Sequence, residues 1–371
     1  MADNKTMILI NDVNYDDNGN VTIEGYEPTD SMFDGDAAVT RVKITVDIEG
    51  GATFTLTDAS NTNRVLQQKE LFKLTDIPDV MEKKGWKVAA MLQREWFRRE
   101  GFRLIGKSPE SEKNPNSCHF TWRHNNMLSH EWLMSHPRMF TYLTYLRNNL
   151  MSPAAQRLIV NILKRNGVLT ENSFNVHREK NWTCSDDAWE TWKYHRQWQF
   201  QRQAIDIGYL EKAQRGFSKI DDLWAAFGGF SLFAALHSVR LYSPMQGYCS
   251  ITLRDFYCYA ADTYDFIDDW QYLGHWNKNG VQVSKWEAGM SEKFHNRDNT
   301  PAPENNISRT MHQLGEMYDL YFCVRNEHYN RYRERHGKGG DMIVWTGPTT
   351  YPLAEQEFTF HISLGEFYDA K

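Results

Sequence analysis

From Arg41 to Ile48 polar and apolar residues alternate, and after Gly50-Gly51 the alternation resumes. Val42, Ile44, Val46 and Ile48 share one side, and Ala52, Phe54 and Leu56 take it up again. Only an extended chain puts every second side chain on one face, so this stretch predicts a half-buried β-hairpin. Ile8 and Ile10, then Val21 and Ile23, flank Asp17-Asn18-Gly19-Asn20 and predict an earlier hairpin. Together they predict a small β-hairpin or sandwich module over residues 1–64.

Asp16, Asn18 and Asn20, with Glu27 further on, have the alternating oxygens of a calcium loop. Val21 stands where that loop requires glycine, and strands on both sides contradict its flanking helices. An Asn-Gly turn accounts for these residues better.

From Phe72 the period changes to 3.6. Thr75-Asp76-Ile77-Pro78 is a helix start, and apolar residues then recur from Val80 to Phe97. Ser152 and Pro153 open a second helix with a Leu158, Ile159, Ile162, Leu163 stripe that stops at Gly167. A third helix is expected from Trp189 to Ile207. A fourth, opening at Asp221-Asp222 and apolar nearly all round to Leu236, belongs in a core. Strand character returns from Ser250 to Tyr259. A loop about Thr300-Pro301-Ala302-Pro303 precedes a helix over residues 307–336, and strands follow at Met342–Thr346 and Phe358–Ser363. The fold class is α+β: the β module, a mainly helical region over residues 65–245, and a mixed strand and helix region over residues 246–371.

The chain's 371 residues suffice for a sizeable core, and 41% hydrophobic with 24% charged residues is a globular composition. A net charge of −6 argues against nucleic acid as a partner, because phosphate binding draws on a basic surface. Cys118, Cys184, Cys249, Cys258 and Cys323 are odd in number and never in a CxxC pair. They read as reduced thiols of a cytosolic protein, without zinc spacing. Met1-Ala2-Asp3-Asn4-Lys5 lacks a signal-peptide pattern, and Leu223–Leu236 is too short for a transmembrane segment. Any export from the bacterial cytoplasm is then expected to use no cleaved signal.

Familiar catalytic motifs fail on spacing. His130-Glu131 is followed by His136, too late to share a helix face in a zinc-protease motif. Gly337-Lys338-Gly339-Gly340 lacks the spacing and the Ser or Thr of a phosphate loop, and reads as a helix end with glycines at positive φ. No Gly-x-Ser-x-Gly elbow is present.

Four ordered strings resemble a bacterial domain family of unknown function encoded beside type VI secretion genes. The first is Phe72-Lys73-Leu74-Thr75-Asp76-Ile77-Pro78 with Met81, Gly85-Trp86, Val88-Ala89-Ala90 and Trp96-Phe97. The second is Trp198-Gln199-Phe200-Gln201 with Asp221-Asp222-Leu223. The third is Tyr259, Asp262-Thr263-Tyr264-Asp265-Phe266 and Tyr272-Leu273-Gly274-His275-Trp276. The fourth is Tyr332-Arg333-Glu334-Arg335 running into Gly337-Lys338-Gly339-Gly340-Asp341. The resemblance covers residues 72–350 and leaves the β module outside. It implies secretion between bacteria, with a secretion spike or adaptor protein and a cognate immunity protein as partners.

Asp262-Thr263-Tyr264-Asp265 is also similar to the Asp-x-Tyr-Asp core of colicin M-like bacteriocins, which hydrolyse the phosphoester of lipid II with a divalent metal. That family places its histidine six or seven residues after the second aspartate, whereas His275 comes ten after Asp265. In chemical terms, Asp262 and Asp265 can hold one Mg²⁺ with water positions left open. Tyr264 can donate to a phosphate oxygen, and His275 titrates in the range needed for acid–base work. Arg333, Arg335 and Lys338 offer a basic helix end to an anionic substrate. The same residues also suit plainer roles: Asp262 and Asp265 as turn caps, Tyr264 as a core aromatic, the basic end as a solvated terminus favoured by the helix dipole. The expected function is a type VI secretion-associated antibacterial effector that attacks a cell-envelope phosphoester. The alternative is a non-enzymatic adaptor or interaction protein, for which 13 Trp and 18 Tyr would suit a binding surface.

Overall fold

The structure is a computed structural model that describes residues 7–15, 21–26, 41–47, 53–56, 73–104, 128–184, 191–205, 220–269, 271–282 and 319–370. The calcium-loop reading at Asp16, Asn18, Asn20 and Glu27 lies outside these residues, as do the Gly50-Gly51 turn and the Thr300-Pro301-Ala302-Pro303 loop. The chain forms two compact units: Met1–Ile105, Ile207–Ala226 and Asp265–Asp341 make the first, and Gly106–Asp206, Phe227–Tyr264 and Met342–Lys371 the second. The compositional division cuts the chain into three consecutive stretches; its contacts instead assemble each unit from three separate ones.

The first unit holds both predicted hairpins. β1 (Met7–Tyr15) pairs antiparallel with β2 (Val21–Tyr26), and β3 (Arg41–Asp47) with β4 (Thr53–Leu56), setting Ile44 opposite Leu56 and Val46 opposite Phe54. These strands continue into a seven-stranded sheet with β9 (Tyr272–Asn277), β10 (Gly280–Gln282) and β11 (Asp319–Arg325), in the order β10-β9-β11-β1-β2-β3-β4. β1 runs parallel to β11, with Met7 opposite Asp319. Residues 319–325 therefore belong to a strand, and the part of the expected 307–336 helix that the described residues show is α8 (Asn326–His336), residues 307–318 lying outside them.

In the same unit the first predicted helix divides at Gly85, whose φ of +83° ends α1 (Ile77–Lys83) before α2 (Lys87–Arg98) begins. Trp86 at the start of α2 offers no side-chain cap. Asp222 supplies one from far along the sequence, its carboxylate accepting from Val88 N at 3.0 Å and Ala89 N at 3.0 Å. A carboxylate there also complements the positive end of the helix dipole.

The second unit is built on β7 (Phe230–Tyr242) and β8 (Tyr248–Tyr264), paired antiparallel along most of their length. β5 (Glu179–Thr183) and β6 (Gln199–Ile205) pair with β7. β12 (Met342–Trp345), β13 (Thr349–Pro352) and β14 (Thr359–Ser363) pair with successive stretches of β8. The helix expected from Asp221 to Leu236 is corrected here. It is a short α7 (Asp222–Phe227) that stops at Gly228, φ +64°, after which the apolar run becomes β7. A central strand buried on both faces loses its alternation, and its apolar run reads like a buried helix. The helix expected from Trp189 to Ile207 likewise ends as α6 (Thr191–Trp198), and the chain continues as β6.

After α3 (His130–Met134) and α4 (Arg138–Asn148), α5 (Pro153–Arg165) forms as predicted. Ser152 Oγ accepts from Ala155 N at 3.3 Å, and Gly167 follows at φ +66°. Its buried residues are Ala155, Ile159, Val160, Ile162 and Leu163, whereas Leu158 lies on the exposed side. Ser152→Ala is expected to destabilise the protein by about 1 kcal/mol through the lost cap, read as a lower urea midpoint. Ser152→Asp should hold the wild-type value.

Candidate functional site

The long strand β8 carries the Asp-x-Tyr-Asp segment to its last residues. Asp262 pairs across the ladder with Val344, Thr263 with Ile343 and Tyr264 with Met342. Alternation puts Asp262 and Tyr264 on one face and Thr263 on the other. Tyr264 is buried, and burial first, then the Asp262 carboxylate, push its phenol above the ordinary tyrosine range. At neutral pH it is therefore a hydrogen-bond donor. Asp262 is half-buried, two residues before that stretch of the second unit ends at Tyr264.

Asp265, also half-buried, opens the stretch of the first unit that leads to α8. Its negative charge acts on Arg333. His275 lies in β9 and is fully buried, its Nδ1 2.6 Å from the Tyr272 hydroxyl. Among the described residues no group of three or more His, Cys, Asp or Glu side chains is gathered as a metal site.

The three basic candidates separate. Arg335 and Lys338 are exposed on the closing turn of α8 and just beyond it. Arg333 points inward. Its Nη2 contacts Asp341, its Nε donates to Gly339 O at 2.6 Å, and its Nη1 donates to Asn330 Oδ1 at 3.2 Å. The guanidinium lies 5.3 Å from the Trp96 ring centroid. Burial lowers the Arg333 pKa and raises that of Asp341, while their mutual attraction opposes both shifts.

Asp341 is the hub of this network. One carboxylate oxygen also accepts from Trp96 Nε1 at 3.0 Å, and the other from Leu104 N at 3.1 Å. The glycine run makes the hub possible. Gly337 closes α8 at φ +62°, and Gly339 sits at φ +93°, where an added Cβ would come 2.4 Å from the Trp96 ring. Gly339 N and Gly340 N donate to Arg99 O and Trp96 O at 3.0 and 3.1 Å, stitching the run to the end of α2. The helix-end reading of these glycines holds, and a close approach to Trp96 is a second reason for them.

Trp96 and Asp341 were not singled out as partners of Arg333 in the sequence. Their only signal was their place in strings on which the resemblance rests, because a residue type does not disclose which way its side chain turns.

A model of a family of unknown function, DUF6402, matches residues 72–360. No curated protein and no solved structure matches the chain. The match takes in α1, α2, the whole Asp-x-Tyr-Asp segment, α8 and the glycine run, and leaves β1 to β4 outside. The chain is a member of the DUF6402 family.

Proposed function

We propose that this protein is an antibacterial effector delivered by type VI secretion, and that it hydrolyses a cell-envelope phosphoester of the lipid II kind. The observation that carries the reading is Tyr264. Its phenol is protonated at neutral pH, and half-buried Asp262 and Asp265 stand one on either side of it in sequence. A protonated phenol donates to a phosphate oxygen. Carboxylates of this kind fit Mg²⁺, which takes one or two protein oxygens and fills its remaining positions with water and substrate phosphate. Bound there, Mg²⁺ would neutralise charge on the phosphate. Arg335 and Lys338, exposed at the end of α8, add positive charge for an anionic substrate. The secretion route and its spike, adaptor and immunity partners rest on the resemblance of the four sequence strings.

The test is growth of a sensitive bacterium that carries the full chain with a periplasmic signal. Lysis is expected from the wild type and is expected to be abolished in Asp262→Ala and Asp265→Ala, with all proteins equally abundant. His275→Gln, scored beside them, tests the acid–base role expected of that ring. Equal lysis by every variant would remove the carboxylates from the mechanism while keeping the effector. Absence of lysis in every case, with a secretion protein co-purifying, would favour a non-enzymatic adaptor.

A further inference from the structure

In the second unit the ladder between β7 and β8 slips twice within three residues. Leu236 faces Phe256, Ser238 faces Asp255 and Val239 faces Leu253, so His237 is an extra residue on one strand and Arg254 on the other. Paired bulges of this kind re-aim side chains without changing the register beyond them. Here they bring the imidazole of His237 to Asp255, with Nδ1 2.5 Å from Oδ1. A carboxylate only accepts, so the shared proton sits on Nδ1 and the lone pair is left on Nε2. Among the described residues nothing hydrogen-bonds Nε2.

The surroundings fix the ring without sealing it. Tyr257 lies against the imidazole at 4.3 Å between centroids, and Tyr194 packs edge-on to Tyr257 at 4.9 Å. The carbonyl of His237 accepts from Cys184 N at 2.7 Å, which satisfies the bulged backbone. His237 keeps 15% of its side-chain exposure and Asp255 23%. Four other histidines, His130, His195, His275 and His328, are buried to 7% exposure or less. His237 is thus held in one tautomer by an acid and still open to a small molecule.

We propose that His237 and Asp255 form a proton-transfer centre for a hydroxyl-bearing substrate or for water. Nε2 takes the proton as the O–H bond breaks, the electron pair stays on the oxygen, and the Asp255 carboxylate stabilises the imidazolium that forms. The proposal stands independently of the effector reading, because it uses none of the residues of the Asp-x-Tyr-Asp segment.

Two measurements on the full chain test it. The first is a long-range proton–nitrogen NMR spectrum of the wild type at pH 8, where the His237 signals should report the Nδ1–H tautomer, the minor form of a free imidazole. The second is acylation by diethyl pyrocarbonate, read residue by residue by mass spectrometry. His237 should be acylated faster than the four buried histidines, and Asp255→Asn should slow it several-fold while leaving exposed His177 unchanged. Asp255→Glu should restore part of the rate. An Nε2–H tautomer in the wild type, or acylation of His237 that is indifferent to Asp255→Asn, would overturn the proposal. Should Asp255→Asn fail to fold, the tautomer of the wild type decides alone.

Discussion

Asp341→Ala is expected to destabilise the first unit by about 3–5 kcal/mol, the cost of stripping the partner from a buried charge. Asp341 is 1% exposed and Arg333 7%, so neither group can turn to water when the other is removed. Truncation also strands two donors, Trp96 Nε1 and Leu104 N, that the carboxylate now satisfies. Urea unfolding followed by tryptophan fluorescence would measure the loss. The double variant Arg333→Met with Asp341→Leu should recover most of it, because an apolar pair of similar volume leaves no buried charge behind. If the double variant instead showed the full sum of the single losses, the two residues would be contributing separately and the network described above would not exist as a unit.

Acid is expected to weaken the second unit by about 3 kcal/mol between pH 6.5 and pH 4, through His130 alone. Burial lowers the pKa of this ring from its ordinary 6.5 to about 4. Its ring lies 2.6 Å, through Nε2, from the Tyr351 hydroxyl, and its Nδ1 has no hydrogen-bond partner among the described residues. The unfolded ring therefore takes up a proton at a pH where the folded one stays neutral. Stability from this source is complete above pH 6.5, declines as the pH falls towards 4, and is level below that. His130→Gln should flatten this part of the stability curve, measured as urea midpoints from pH 7.5 to 3.5. A curve equally steep in the variant would assign the acid sensitivity to other groups.

Local features of the fold were legible in the sequence wherever one residue dictates the backbone. The alternation at Val42, Ile44 and Val46 meant strand, Ser152 with Pro153 meant a helix start, and Gly337 meant a helix end. The misreadings have two physical causes. Phe230 to Tyr242 is covered on both faces, so hydrophobic period could not distinguish it from a helix. Gln199 to Ile205, taken as the continuation of a helix, is a strand because β7 offers it a partner, and pairing is invisible in the segment itself. The same error hid His237. It lies one residue past the expected helix and 18 residues before Asp255, and only the pairing of β7 with β8 through the double bulge brings the two together. Within the candidate site, residue types were readable but directions were not: Arg333, expected to greet a substrate, spends its charge on Asp341.

The parallel pairing of β1 with β11 has a consequence for how the chain is made. β1 leaves the ribosome long before its neighbour, which lies about 310 residues downstream, since Met7 lies opposite Asp319. At roughly 5–20 residues per second, β1 waits on the order of 15–60 s with one edge unclaimed. During that interval a nascent chain presents an open row of amides and carbonyls to any other extended segment. A strand synthesised early is therefore completed late, and a truncated product ending before residue 319 would carry that open edge permanently.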